Sequence, residues 1–304
     1  MVEPVCQQAG GDIPPAASSE HRLMPSRQAS WLGLSLALPL PTLLVLAYLL
    51  PLVGVLGWSV SMPAGIGFGN YVQIATDPLI VSIFLRTLRI CLVVTLISVA
   101  IAYFLAYHLR FGSPWKKRIL LIGVLIPFWL SALIRAFAWL MILRGNGLAN
   151  NFLQSTGLIT EPLALARNEL GVMIGMVHFL VPYAVLPIFS SLQHIDDRLL
   201  QASRSLGASF WRGFKDILAP LSSSGLLAAT IIVFVFSLGF FVTPAVLGGG
   251  RVVMVAEYIY LQMFQLSNWG LGAALSGFLM VVVVALMLAL IKIVGIRRLM
   301  DTAS

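Results

Sequence analysis

The sequence predicts an all-α integral membrane protein with six transmembrane helices, and three observations predict it. Of the 304 residues, 59% are hydrophobic and only 10% charged, with a mean hydropathy of +0.97. A water-soluble domain carries roughly 25% charged residues, so this chain lacks the polar surface to cover a globule of its size. Second, apolar runs long enough to span a bilayer recur along the chain. Third, its basic residues cluster in alternate loops. No loop can hold a separate domain of ~100 residues, which excludes a soluble enzyme on a single anchor.

The first 30 residues mix Pro, Gly, Ser and sparse charge without apolar periodicity and are expected to be a disordered cytoplasmic tail. Arg22 and Arg27 precede a hydrophobic run over about 31–60, longer than the ~7–15 residues of a cleavable signal core. It is expected to stay as a signal-anchor helix, bent by Pro39, Pro41 and Pro51. Further spans are expected at about 88–109, 119–143, 170–193, 222–247 and 274–296. The six-helix transmembrane domain would thus run over 31–298, with a short cytoplasmic tail at 299–304.

An even number of spans places both termini on one side. The tails and even-numbered loops hold twelve Lys and Arg, among them Arg110, Lys116, Lys117, Arg118, Arg198, Arg204, Arg212 and Lys215. The odd-numbered loops hold four, Arg86, Arg144, Arg167 and Arg251, while Arg89, Arg135 and Lys292 fall within spans. Both termini are therefore expected to be cytoplasmic. The net charge of +8 reports topology rather than nucleic acid. Cys6 and Cys91 lie in the tail and in an apolar run, so neither a disulfide nor a thiolate metal site is indicated.

The three outward loops, about 59–87, 144–169 and 248–273, contain turn signals such as Met62-Pro63 and Gly248-Gly249-Gly250 and have room for short surface helices. The inward segment 194–221 is too polar to span. Within it Leu199, Leu200, Ala202, Ser203, Leu206, Phe210 and Phe214 recur at helical spacing, which predicts a short amphipathic helix over about 199–211. Asp196 and Asp197 precede it as a cap and a dipole partner. Gly207 suits a left-handed or closely approached backbone, and Pro220 breaks the segment before the fifth span.

Gln201-Ala202-Ser203, three residues, Gly207, nine residues, then Ile217-Leu218-Ala219-Pro220 resembles the EAA loop of type I ABC importer permeases. That pattern reads Glu-Ala-Ala, three residues, Gly, nine residues, Ile-x-Leu-Pro, between the fourth and fifth of six helices. Gln201 stands where the pattern has Glu, Ser203 where it has Ala and Ala219 where it has Leu. The stretches Ile126–Trp139 and Leu143–Asn151, and Ser237–Pro244 with Leu247-Gly248-Gly249, are similar to spermidine/putrescine-type permeases.

The resemblance covers about 30–298 and implies a type I importer permease (MetI-like) fold in the inner membrane. It also implies docking of a cytoplasmic ABC ATPase dimer through the EAA helix, a second homologous permease and an extracytoplasmic solute-binding protein. The docking residues it implies are Leu199, Gln201, Ala202, Ser203, Leu206, Gly207, Phe210, Ile217 and Pro220. No phosphate-loop motif Gly-x-x-x-x-Gly-Lys-Ser/Thr occurs in the sequence, so ATP would be hydrolysed by the partner. No nucleotide or metal cofactor is expected on this chain, and no enzymatic activity. The solute it implies is a polyamine or a related amine.

Candidate path residues follow from the cost of polar groups in spans. Arg135 and His178 are such groups, each readable as a satisfied packing residue or as a contact for solute or gate. Phe128, Trp129, Trp139, Tyr183, Phe240 and Phe241 cluster in spans three to five, where aromatic faces either pack or hold a cation. Phe240 stands where many polyamine permeases have Glu, and the cores of spans three to five hold no acid. Acidic contacts would then come from a partner or from Glu161, Glu169 and Glu257. An ion-gradient-driven transporter is the competing class, and it would require the intramembrane carboxylates these spans lack.

Overall fold

The computed structural model describes residues 39–62 and 65–301, with side chains to residue 289 and at Lys292; the expected tail at 1–30 lies outside these residues. The chain divides into two units at Leu52 and Val53. Helix α1 is Pro39–Ser59. Pro39 and Pro41 fall in its first turn, where a missing N–H leaves no bond unmade, so Pro51 is its only interior proline.

In the second unit a two-residue hairpin, β1 (Ser61–Met62) and β2 (Gly65–Ile66), precedes α2 (Gly69–Thr76) and α3 (Pro78–Phe111). Helix α3 starts ten residues before the sequence expectation because Asp77 caps it, accepting from the Leu79 amide at 2.8 Å, and Pro78 supplies the first turn. Its 34 residues rise about 51 Å, well beyond a hydrocarbon core of about 30 Å.

The expected third span is two helices, α4 (Pro114–Trp129) and α5 (Ala132–Leu143). Pro127 removes a donor near the end of α4. The backbone extends at Leu130 (ψ 136°), and Ser131 recaps by accepting from the Leu133 amide at 3.3 Å. Helix α6 (Leu148–Ser155) lies in the next loop and α7 (Glu169–Gln193) follows. The polar segment carries α8 (Asp197–Ser205) and α9 (Phe210–Leu221). Helix α10 (Ser223–Leu238) leaves α9 at a 68° bend.

The expected fifth span to 247 stops at Leu238. Gly239-Phe240-Phe241 are non-helical before α11 (Val242–Leu247). Then come α12 (Val255–Tyr260), widening into a π-turn over Leu261–Gln265, and α13 (Trp269–Asp301). Helix α13 runs on through 299–301, and 302–304 lie outside the described residues.

The core is built on α7. Val172, Met176, Leu180, Ala184, Ile188 and Leu192 are fully buried and pack with α3 (Ile90, Cys91, Val94, Ala102, Ala106) and α10 (Ala229, Val233, Phe234). Small residues set these approaches. A Cβ at Gly225 would lie 2.5 Å from the Pro187 carbonyl oxygen, and one at Gly175 would lie 2.4 Å from Leu247 Cδ1. Helices α3 and α7 run parallel, as their ion pairs show: Arg86 and Arg89 meet Glu169 at one end, and Arg110 meets Asp197 at the other.

Candidate functional site

The motif segment builds from the end of α7. Ile195 is buried and anchors the exit. Asp196 caps α8 by accepting from the Arg198 amide at 2.9 Å, and Asp197 in the first turn pairs with Arg110 at 2.8 Å. At the far end of α8, Gly207 adopts φ +79°. The Ala208 amide bonds the Ser203 carbonyl at 3.0 Å and the Gly207 amide bonds the Arg204 carbonyl at 2.9 Å. These two bonds make a Schellman stop, which requires a left-handed residue at that position. An added Cβ at Gly207 meets no atom within 4 Å, so within this chain the glycine serves conformation and not close approach.

The segment is bare on its outward side. No residue of α8 is buried. Leu206 is 89% exposed and Trp211 73%, and Gln201 and Ala202 are exposed as well, with Ser203 partly covered and bonding the Leu200 carbonyl. Phe210 is 56% exposed and sets one edge on Tyr107 of α3. Inward, Phe214 packs edge-on to Tyr103 at 5.4 Å and Leu218 is buried.

Pro220 has no amide to donate, and the helix widens just before it, with the Ala219 amide bonding the Phe214 carbonyl. Ile217 is partly covered and Pro220 exposed. The hydroxyl of Ser222 then takes up the Leu218 carbonyl at 2.5 Å and meets the Tyr103 hydroxyl at 3.0 Å. The bend between α9 and α10 is thereby tied to α3.

The aromatic candidates sort into groups. Phe128 meets Tyr183 at 4.7 Å, Tyr183 stacks on Phe179 at 5.7 Å, and Phe179 receives the edge of Phe240 at 4.9 Å. Arg135 is 8% exposed, and its guanidinium carbon lies 3.9 Å from the Phe179 ring centroid, so an aromatic face stands beside this cation where no acid does, while its Nε has no hydrogen-bond partner. The break at Leu130-Ser131 places Arg135 in the first turn of α5, and the break at Gly239 places Phe240 against α7.

Trp139 and His178 meet at 5.5 Å and line an apolar groove of about 630 Å³ with Ile97, Ile101, Val124 and Pro127. Phe241 turns to Tyr260 at 4.8 Å. Trp129 is 89% exposed and stands apart from these contacts. Sequence reasoning missed Phe179, the hub of the group, although Phe179 and Tyr183 sit at an i, i+4 spacing that puts both rings on one helix face.

Of the acids considered, Glu169 is engaged by Arg86 and Arg89. Glu257 is 7% exposed, with Oε2 lacking a hydrogen-bond partner, and burial pushes its carboxyl upward from the ordinary value. The described residues bring together no group of three or more His, Cys, Asp or Glu that could hold a metal.

Residues 98–299 match the family described as binding-protein-dependent transport system inner membrane component. The spermidine/putrescine transport system permease protein PotB of Escherichia coli K12 is 34% identical over 208 residues, covering 68% of this chain and 75% of that one. PotB of Haemophilus influenzae is 31% identical, covering 68% and 72%. The inner membrane ABC transporter permease protein YdcU of Escherichia coli K12 is 30% identical, covering 72% and 73%. In fold, the chain is similar to a bacterial alginate ABC transporter solved with an alginate pentasaccharide-bound periplasmic protein, with TM-score 0.71 at 17% identity over 86% of this chain and 93% of that one.

The expected type I importer fold is thus observed, and the ion-gradient alternative is set aside. With two thirds of its length matched and a relative above 30% identity covered over most of its length, the chain belongs to the binding-protein-dependent transport system inner membrane components. It is the membrane permease subunit of an ABC importer, a family that has no ATPase site of its own.

Proposed function

We propose that this permease moves a polyamine or a related amine inward and couples to a cytoplasmic ABC ATPase through α8. The observation that carries the coupling is a helix held firmly at both ends with nothing on its outward face. Asp196 and the Gly207 stop fix its length, Arg110 fixes its base, and Leu199, Gln201, Ala202, Leu206 and Phe210 are presented outward. A helix so exposed in its own chain is built to be covered by another. Leu206 and Phe210 enter the ATPase cleft, Ser203 and the Ile217–Pro220 turn support the helix from behind, and Gln201 meets the cleft without charge. Both termini and α8 lie on the cytoplasmic side, in line with the twelve-to-four division of basic residues between the two sets of loops.

The solute class is supported by the names of the PotB relatives. Phe128, Arg135, Tyr183 and Phe240 around Phe179 line the path together with Trp139, His178 and Phe241, and Trp129, exposed in this chain, belongs to the same path. A solute-binding protein delivers the amine from the other side.

The test is reconstitution of the permeases and ATPase in proteoliposomes, with uptake of labelled spermidine and putrescine. Uptake that requires ATP, and that falls at least tenfold in Gly207→Val while the ATPase still hydrolyses, supports the reading. A β-branched residue at φ +79° costs about 1–2 kcal/mol and unseats the helix stop. Undiminished uptake in that variant would remove the coupling role, and ATP-dependent transport of a solute other than an amine would remove the solute class.

A further inference from the structure

Arginines are scarce at the end of the molecule opposite α8, yet two of them share one acid there and two more lie in the loops that adjoin it. Arg86 Nε lies 3.7 Å from Glu169 Oε1, and Arg89 pairs with the other oxygen of the same carboxylate. Arg86 also donates to the Arg251 carbonyl at 3.5 Å. Arg167, itself left-handed at φ 57°, lays its side-chain carbons where a Cβ on Gly249 would stand, within 2.9 to 3.2 Å. Positions 86, 89, 167, 169 and 251 come from three separate stretches of sequence.

The loop carrying Arg251 is fixed to α3 by the Val255 amide donating to Thr87 Oγ1 at 3.0 Å. Glu169 pairs with Arg86 and Arg89, and no ion pair among the described residues engages Arg167 or Arg251. The other acids at this end do not offset the excess: Asp77 caps α3, Glu257 is buried, and Glu161 makes no ion pair among the described residues.

We infer that Arg86, Arg89, Arg167 and Arg251 form a docking surface for an acidic patch on the soluble solute-binding protein, whose carboxylates compete with Glu169 for Arg86 and Arg89. This rests on the importer reading, which places these residues on the extracytoplasmic side. Basic residues are depleted there in membrane proteins, so a convergent cluster needs a partner.

Position favours a soluble protein over lipid headgroups. Thr87, Val252, Met254 and Val255, beside the cluster in sequence, are buried, so it is seated on the packed core at the end of the helices. Arg89, Arg167 and Arg251 are exposed and free to take a second anion. Guanidinium groups bind carboxylates in paired geometry, and an unbalanced patch steers an acidic partner from a distance. Exchange at Glu169 also frees the first turn of α7, the helix that leads directly to α8.

The experiment places a photo-crosslinking residue at Ala164, an exposed neighbour of Arg167 in the same loop, in the full-length tagged permease in cells. Crosslinked products are identified by mass, and the co-purified ATPase is scored in the same sample. The expected result is a crosslink to one soluble solute-binding protein, reduced roughly tenfold by Arg167→Glu with Arg251→Glu and unchanged by Lys116→Glu at the opposite end. Purified binding protein should then lose affinity for the permease as salt rises to about 0.5 M. A crosslink that survives the double reversal, or one to lipid alone, overturns the inference while ATPase recovery leaves the importer reading standing. Loss of the ATPase from the wild-type sample overturns both.

Discussion

Helix α3 is fastened to the α7–α8 segment at both ends, and the two fastenings are built differently. At the α8 end one arginine meets one acid: Arg110, with a side chain 22% exposed, donates to Asp197 at 2.8 Å and reaches the Ile195 carbonyl at 3.4 Å. At the opposite end a single acid is shared by Arg86 and Arg89, with Arg167 and Arg251 close by, and Arg89 is 64% exposed. The balanced, half-buried pair fixes a geometry. The unbalanced, exposed cluster keeps binding capacity unspent, and between the two the contact is apolar and close.

The largest effect is expected where α10 closes on the other side of α7. In Gly225→Leu the new Cβ would sit 2.5 Å from both the Pro187 carbonyl oxygen and Ser191 Cβ, in α7 backbone that cannot swing aside. Overpacking of this kind costs typically 1–3 kcal/mol and here meets backbone, so a loss at or above about 3 kcal/mol is expected. Thermal unfolding of the purified permease in detergent should show a clear drop in midpoint. A variant as stable as the parent would mean that α7 and α10 are not rigidly packed, and the two fastenings would then no longer share one body.

How far the sequence reveals this depends on which signals are local. The EAA-like spacing, the Asp196 cap and the left-handed Gly207 are all readable within a dozen residues, yet the helix expected over about 199–211 is two, because the stop at Gly207 ends α8 at Ser205 and Phe210 opens α9. Span boundaries were less legible. Hydropathy marks where the chain is apolar, but α3 begins at Asp77-Pro78, a cap signal lying outside the apolar run. Breaks at Leu130 and at Gly239 follow from Pro127 and from Gly239-Phe240-Phe241, which interrupt a helix without lowering hydropathy. Phe179, Arg89 and Glu169 owe their meaning to partners 44 to 80 residues away, as with Arg135 over Phe179 and Arg89 on Glu169, and no periodicity in one chain reports that.

The next effect compares the fastenings directly. Arg110→Ala leaves Asp197 without its partner and lets the base of α8 drift, so uptake in proteoliposomes should fall roughly fivefold to tenfold with ATP hydrolysis largely retained, on a pair worth about 1 kcal/mol. Arg89→Ala should cost less than about twofold when the binding protein is saturating, because Arg86 still faces Glu169 and the exposed pair contributes little by itself. Equal losses in the two variants would erase the distinction between a positional and a binding role.

The smallest effect tests whether the bend at Ser222 belongs to the balanced end. Tyr103 and Ser222 share one hydrogen bond at 3.0 Å, while Ser222 keeps a second to the Leu218 carbonyl and Phe214 stays against the Tyr103 ring. Tyr103→Phe removes only the hydroxyl, so stability should change by about 0.5–1.5 kcal/mol. Because the Leu218 bond holds the α9–α10 angle by itself, transport should change by less than twofold. If Tyr103→Phe instead uncoupled transport as strongly as Arg110→Ala, the tie between α3 and the bend would be part of the coupling path. The α8 end would then be a network, with Arg110 one member of it.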